Sequence, residues 1–195
     1  MLTKKGAATR QRIVEAAVAE IRERGIGAVT LDDVGRRSGT GKSQLFHYFP
    51  GGREQLLLAV AQWEADRVLR DQQPHLGQLT SWAAWRQWRD AVVERYREQG
   101  GHCPLGVLIT EAGRHTPAAQ AVTRQLLGQW QHHVRVGIEQ MQGSGDISRD
   151  VDPDAVAGAL IAAIQGGVVI LLSTGSPAHL ESVLDLCLDY LRTYR

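Results

Sequence analysis

The chain has 195 residues, 43% hydrophobic and 22% charged, and a net charge of +1. That composition buries a core and excludes a disordered polyelectrolyte, while the length fits one domain or a small one joined to a larger one. The charge is uneven, +4 over residues 1–55 and −3 over residues 56–195, so the front end suits a polyanion.

The N-terminal stretch "MLTKKGAATRQRIVEAA" is charged but has no apolar run, so no signal peptide is expected. "TRQRIVEAAVAEIRERG" predicts a helix with Ile13, Ala16, Ala17 and Ile21 on one face, Thr9 as its cap and Gly25 as its stop. Thr30 caps the next helix, "LDDVGRRS", by accepting from the N–H of Asp32 or Asp33, and Gly39 ends it. A second short helix starts near Lys42, runs through "SQLFHYF" and breaks at Pro50-Gly51-Gly52. Three helices within about 50 residues, the last two joined by a short glycine-containing turn, form a helix-turn-helix pattern.

"GTGKS", residues 39–43, resembles the end of a phosphate-binding P-loop. The first glycine of that motif should stand at position 36, where the chain has Arg36; Gly35 is one residue out of register. The charged segment before it is no strand. A nucleotide hydrolase is therefore set aside.

The remainder also reads as helix, with no strand and no internal repeat. "REQLLLAVAQWEADRVLRDQ" and "SWAAWRQWRDAVVERYREQ" are long and amphipathic, and "PLGVLITEAGRH" is short. A further helix runs from Pro117 through Gln142 to the linker "GSGDISRD". Asp152-Pro153 opens a helix of 153–173 that is uncharged from Ala155 to Gly175, and a last helix covers 177–193. The uncharged helix is long enough to span a bilayer, but flanking aspartates, a central Gln165 and no nearby Lys or Arg favour burial inside protein. The predicted fold class is all-α, and no membrane partner is expected.

The run from Thr9 to Val60 resembles the DNA-binding domain of the TetR family of transcriptional regulators. The resemblance rests on the capped amphipathic helix, the threonine-led entry at Thr30 and the signature Leu45-Phe46-His47-Tyr48-Phe49. The pieces His47 to Glu54 and Gly101 to Gly106 are similar to the LmrA/YxaF-like subgroup. Two departures stand out: Gly41 where family members often have a capping Ser, and Ser43 where many have Gly.

The resemblance implies a DNA-binding domain of residues 1–52 and a helical effector-binding and dimerisation domain of residues 53–195. It implies a cytoplasmic homodimer on a double-stranded, palindromic DNA operator, with a small apolar or aromatic effector releasing a repressor. No cofactor, metal or catalysis is implied. Thr30 and Thr40 are expected to cap helices and touch phosphate. Lys42, His47, Tyr48 and Arg53 reach phosphates, while Ser43 and Gln44 sit where helix-turn-helix proteins touch base edges. Leu45, Phe46 and Phe49 are assigned to the three-helix core. Expected ligand contacts are Trp82, Trp85, Trp88 and Trp130, with Glu111, His115 and Gln165 as polar anchors. The expected dimer contacts are Leu160, Ile164, Val168, Leu171, Leu180, Leu184 and Leu188.

Against an enzyme, His102 and Cys103 are adjacent, as are His132 and His133, and no metal-binding spacing exists. Cys103 and Cys187 are expected to be reduced. An activator of the same architecture, or a helical dimer that binds a protein, remains an alternative.

Overall fold

The computed structural model describes residues 3–99 and 117–193. Among them are eight α-helices and no strand. The short helix expected in "PLGVLITEAGRH" lies outside the described residues.

Helix α1 (Lys4–Arg24) starts earlier than expected. Thr3 is its cap, accepting from the Gly6 N–H at 3.1 Å. Thr9 is buried within the helix and donates to the Lys5 carbonyl. Lys4, Lys5, Ala7 and Ala8 are good helix formers, so the helix extends back to the earlier threonine. Gly25 ends it at φ 77°.

Helix α2 (Leu31–Ser38) opens on a capping box: the Thr30 hydroxyl accepts from the Asp33 N–H, and Asp33 accepts from the Thr30 N–H. Gly39 ends it in the left-handed region, φ 64°, where a Cβ would be strained. Helix α3 (Lys42–Tyr48) follows at once, then α4 (Gly52–Asp71).

Two compact units account for the described residues, and the division falls inside α4, after Asp66. The first unit holds α1–α3, α4 to Asp66, and the start of α6 (Pro117–Ser144) to Thr123. Its core joins Ile13, Ala17 and Ile21 of α1 with Val34, Leu45, Phe49, Leu56 and Val60. Each large side chain so buried contributes about 1.5–3 kcal/mol before entropy costs. Phe46 departs from expectation: it is 40% exposed, because its place on α3 faces away from the α1 stripe that Leu45 and Phe49 cover.

The second unit runs from Arg67 through a 3-10 turn (His75–Gly77) and α5 (Trp82–Gln99), then from Arg124 onward. Helix α7 (Pro153–Thr174) is capped by Asp152, which accepts from Asp154 and Ala155. Gly175 ends α7, and α8 (Ala178–Thr193) turns straight back along it. Gly167 permits this approach: a Cβ there would lie 2.8 Å from the Leu180 Cα. Helix α8 also pairs with α5, through Arg89 to Asp185, Arg97 to Glu181, and Arg192 over the Trp82 ring.

Helix α7 is long and apolar enough to cross a membrane by length and composition. Its Ala157, Leu160, Ile161, Ile164, Gly167, Val168 and Leu171 are buried within the unit.

The expected dimer contacts need correction. Leu160, Ile164, Val168, Leu171, Leu180, Leu184 and Leu188 are all buried in the single chain, at 4% exposure or less. They zip α7 to α8 and have no surface left for a second copy. The exposed large apolar residues on these helices are Val169, Ile170, Leu186 and Tyr190.

Candidate nucleic-acid interface

Helices α2 and α3 form the interface candidate. Gly35 lets the turn fold tightly: its carbonyl accepts from the Thr40 N–H at 2.9 Å, and a Cβ on it would lie 3.0 Å from the Thr40 oxygen. A groove of about 150 Å³ runs between the two helices, lined by Asp32, Arg36, Lys42 and Phe46 among others.

Helix α3 begins at Gly41, which brings no side-chain cap. The first intrahelical bond is from the Leu45 N–H to the Gly41 carbonyl, leaving the amides of Lys42, Ser43 and Gln44 to outside partners. Lys42, Ser43, Gln44 and His47 are exposed, and Lys42 has no partner among the described residues. Tyr48 is half-buried, its ring edge-on to His47 at 5.1 Å. So α3 shows solvent a cation, two hydrogen-bonding side chains and an imidazole, while Leu45 is 2% exposed and pins the opposite face.

Three expected contact residues are otherwise engaged. Thr40 is buried, and its hydroxyl reaches back to the Ser38 carbonyl instead of capping α3. Thr30 is exposed, yet its hydroxyl is committed to Asp33, 2.6 Å away. Arg53 donates to the carbonyls of Ile26 (2.5 Å) and Val29 (3.4 Å), tying the start of α4 to the α1–α2 connection.

Charge pairs fix the frame behind this face. Arg37 donates to Glu20 and Glu23, and Arg12 donates to the Ser38 carbonyl at 3.0 Å, so α1 holds the end of α2. The Thr30 hydroxyl, Arg24 and the Thr30 amide together lower the Asp33 carboxyl to about 2.

The expected ligand residues divide. Trp85 and Trp88 lie edge to face, 5.7 Å apart, and neither is exposed. The Trp88 indole donates to Gln72 at 2.7 Å, and Gln72 donates to the Val68 carbonyl. Trp82 is half-buried, and Trp130, on α6, is wholly buried. The indole N–H groups of Trp82, Trp85 and Trp130 and the amide nitrogen of Gln165 are shut from water without a partner among the described residues. Glu111 and His115 lie outside the described residues, as do Gly101 to Gly106, His102 and Cys103. Sequence reasoning passed over Gln72, Asp71 and Arg95. The signal was available for Arg95, which stands seven residues, two helical turns, after Trp88 and so falls on the apolar stripe.

Comparison with known proteins agrees with this geometry. Residues 13–60 match the model of bacterial regulatory proteins of the tetR family, and residues 82–186 match the tetracyclin repressor-like C-terminal domain. An HTH-type transcriptional regulator of Mycobacterium tuberculosis is 34% identical over 110 residues, covering 53% of each chain, so this chain spans about half the length of that relative. A regulatory protein TetR from Rhodobacter sphaeroides shares the fold with a TM-score of 0.78 at 23% identity, over 92% of this chain and 97% of that one. SmeT, solved in complex with triclosan, shares it with a TM-score of 0.70 at 19% identity, over 95% and 90%. The second family match alone covers more than half of the residues. The chain belongs to the TetR family of transcriptional regulators, not to a family of enzymes.

Proposed function

We propose that this regulator is a cytoplasmic repressor that binds a palindromic operator as a homodimer and releases it on binding a small apolar or aromatic effector. The observation that carries the reading is the outward face of α3, with Lys42 for phosphate and Ser43 and Gln44 at the uncapped first turn for phosphate and base edges. A helix this short makes few contacts, so two half-sites about 34–36 Å apart are needed to multiply them.

Dimerisation is assigned to α7 and α8, on the face opposite their shared leucines. There Ala155, Val156, Ala159, Leu186, Cys187 and Tyr190 surround an open, mainly apolar hollow of about 500 Å³. Residues 1–52 serve as the DNA-binding domain and residues 53–195 as the effector and dimerisation domain. The buried tryptophans and unpartnered donors of the second unit support an interior ligand. SmeT, a protein of the same fold, binds triclosan. An effector acts by binding the DNA-incompetent state more tightly, and cannot shift the equilibrium by more than that difference.

The test is binding of the purified protein to its own upstream DNA and to a scrambled duplex, by fluorescence anisotropy at low and physiological salt. Specific binding that weakens steeply with salt supports the reading. Equal affinity for both duplexes, together with no enriched site in a genomic DNA selection, refutes it.

A further inference from the structure

Arg95, on α5, is a buried cation with one edge unpartnered among the described residues. Its side chain is 7% exposed. Its Nη1 donates to Asp71, a carboxylate that Arg67 also meets at 3.1 Å. Glu94, next to Arg95 in sequence, is taken by Arg97. Arg95 Nε and Nη2 are shut from water and have no hydrogen-bond partner among the described residues. These two nitrogens point their hydrogens the same way and form the fork that grips a carboxylate with both oxygens. Arg89, six residues earlier on the same helix, shows that edge in use: its Nε and Nη2 meet the two Asp185 oxygens at 2.8 Å each.

The surroundings share this polarity. Among the described residues of the second unit, every buried side-chain atom without a partner is a nitrogen that donates: Arg95 Nε and Nη2, the indoles of Trp82, Trp85 and Trp130, and the Gln165 amide. No side-chain acceptor is left over. Leaving such donors dry costs free energy unless something completes them, and a guanidinium costs most. Trp88 lies on the Arg95 stripe about 10 Å away along the helix, and Trp85 packs on Trp88.

We propose that Arg95 is a ligand-binding residue, and that the effector is a small carboxylic acid with an apolar or aromatic body. Its carboxylate sits on the Nε/Nη2 fork of Arg95 and its body against the tryptophans of α5. This deepens the effector reading above and rests on it. The bound acid satisfies donors that have no partner among the described residues, and it meets the Arg95 guanidinium with an opposite charge.

The experiment uses the full chain, without DNA. Benzoate, phenylacetate and octanoate are each titrated beside the matched amide, with inorganic phosphate as a further probe, by calorimetry and thermal shift. At least one acid is expected to bind on the order of tenfold or more tighter than its amide, and to shift the Arg95 Nε–H resonance. Arg95→Gln is expected to erase that preference. Arg95→Lys keeps the charge but loses the fork, and is expected to retain only part of it. Arg89→Gln, whose fork is already filled, is expected to leave it intact. No acid preferred over its amide, preference for phosphate, or full preference in Arg95→Lys each overturns the proposal. An operator release assay separates the two readings. Acids that bind through Arg95 without releasing DNA leave the site standing and sink the effector role. Release by a neutral compound that ignores Arg95→Gln does the reverse.

Discussion

The two units spend their polar groups in opposite ways. In the first, local sequence closes its own polar ends: Thr3 and Thr30 cap helices, Asp33 answers Thr30, and Arg37 is bound by Glu20 and Glu23. Its open backbone amides face outward, at the start of α3. Of the described residues' buried nitrogens without partners, all but Arg22 Nε lie in the second unit. A surface that reads a polyanion needs donors turned to solvent on a rigid frame. A compartment that reads a small molecule needs donors kept dry.

The largest effect separating the units is expected from Trp130→Ala. Removing a wholly buried indole from α6 should cost about 3–5 kcal/mol, with hydrogen exchange accelerating in α5–α8 before α1–α3. Uniform acceleration would mean that the units unfold as one. Gly167→Ala should follow, at about 1–3 kcal/mol in chemical denaturation, since the added methyl meets the Leu180 backbone. On the other side of the comparison, Gln44→Ala should reduce discrimination between the operator and single-base variants by about 1–3 kcal/mol. Lys42→Ala should instead weaken all duplexes alike and lower the salt slope by about 1. If both substitutions act alike, α3 does not divide its contacts between bases and phosphates.

The smallest effect is expected from pH. The Asp33 carboxyl is held at about 2 in the folded chain, below the usual carboxylate range, so the charged form is the one that stabilises. That contribution is complete above pH about 4 and is lost as pH falls from there toward 2. Acid unfolding of the native chain should therefore be steeper through this window than that of Asp33→Asn, which lacks the titration; identical profiles would remove the capping box from the stability of α2.

Local chemistry made the first unit legible. A capping threonine, a left-handed glycine and a proline-glycine break act within a few residues, and all of them place α2, α3 and the start of α4 correctly. Thr9 was expected to cap α1, but the helix reaches back to Thr3, which caps it instead. The sequence was silent where the answer depended on what covers a stripe. Helix α7 is apolar on most sides, so periodicity marked it as buried without saying which face meets α8 and which is left open. The seven residues expected between subunits were assigned to the wrong cover for that reason. Phe46 failed similarly: an aromatic residue beside Leu45 in a core-forming helix is still 100° from it. Thr40 and Arg53 were expected from the resemblance to touch phosphate; in the fold the Thr40 hydroxyl meets the Ser38 carbonyl and Arg53 meets the carbonyls of Ile26 and Val29.

Gly41 leaves α3 one group short at its N-terminus. A helix of seven residues with an open first turn is weakly held on its own, and Leu45 supplies most of its anchorage. A backbone phosphate placed before it would act as the missing cap, so DNA would complete the secondary structure as well as dock against it. Helicity of residues 42–48 and affinity for DNA then become two readings of one equilibrium. A serine at position 41 would hand the cap back to the protein: α3 would be stiffer alone, and its own hydroxyl would compete with the phosphate for the same amides.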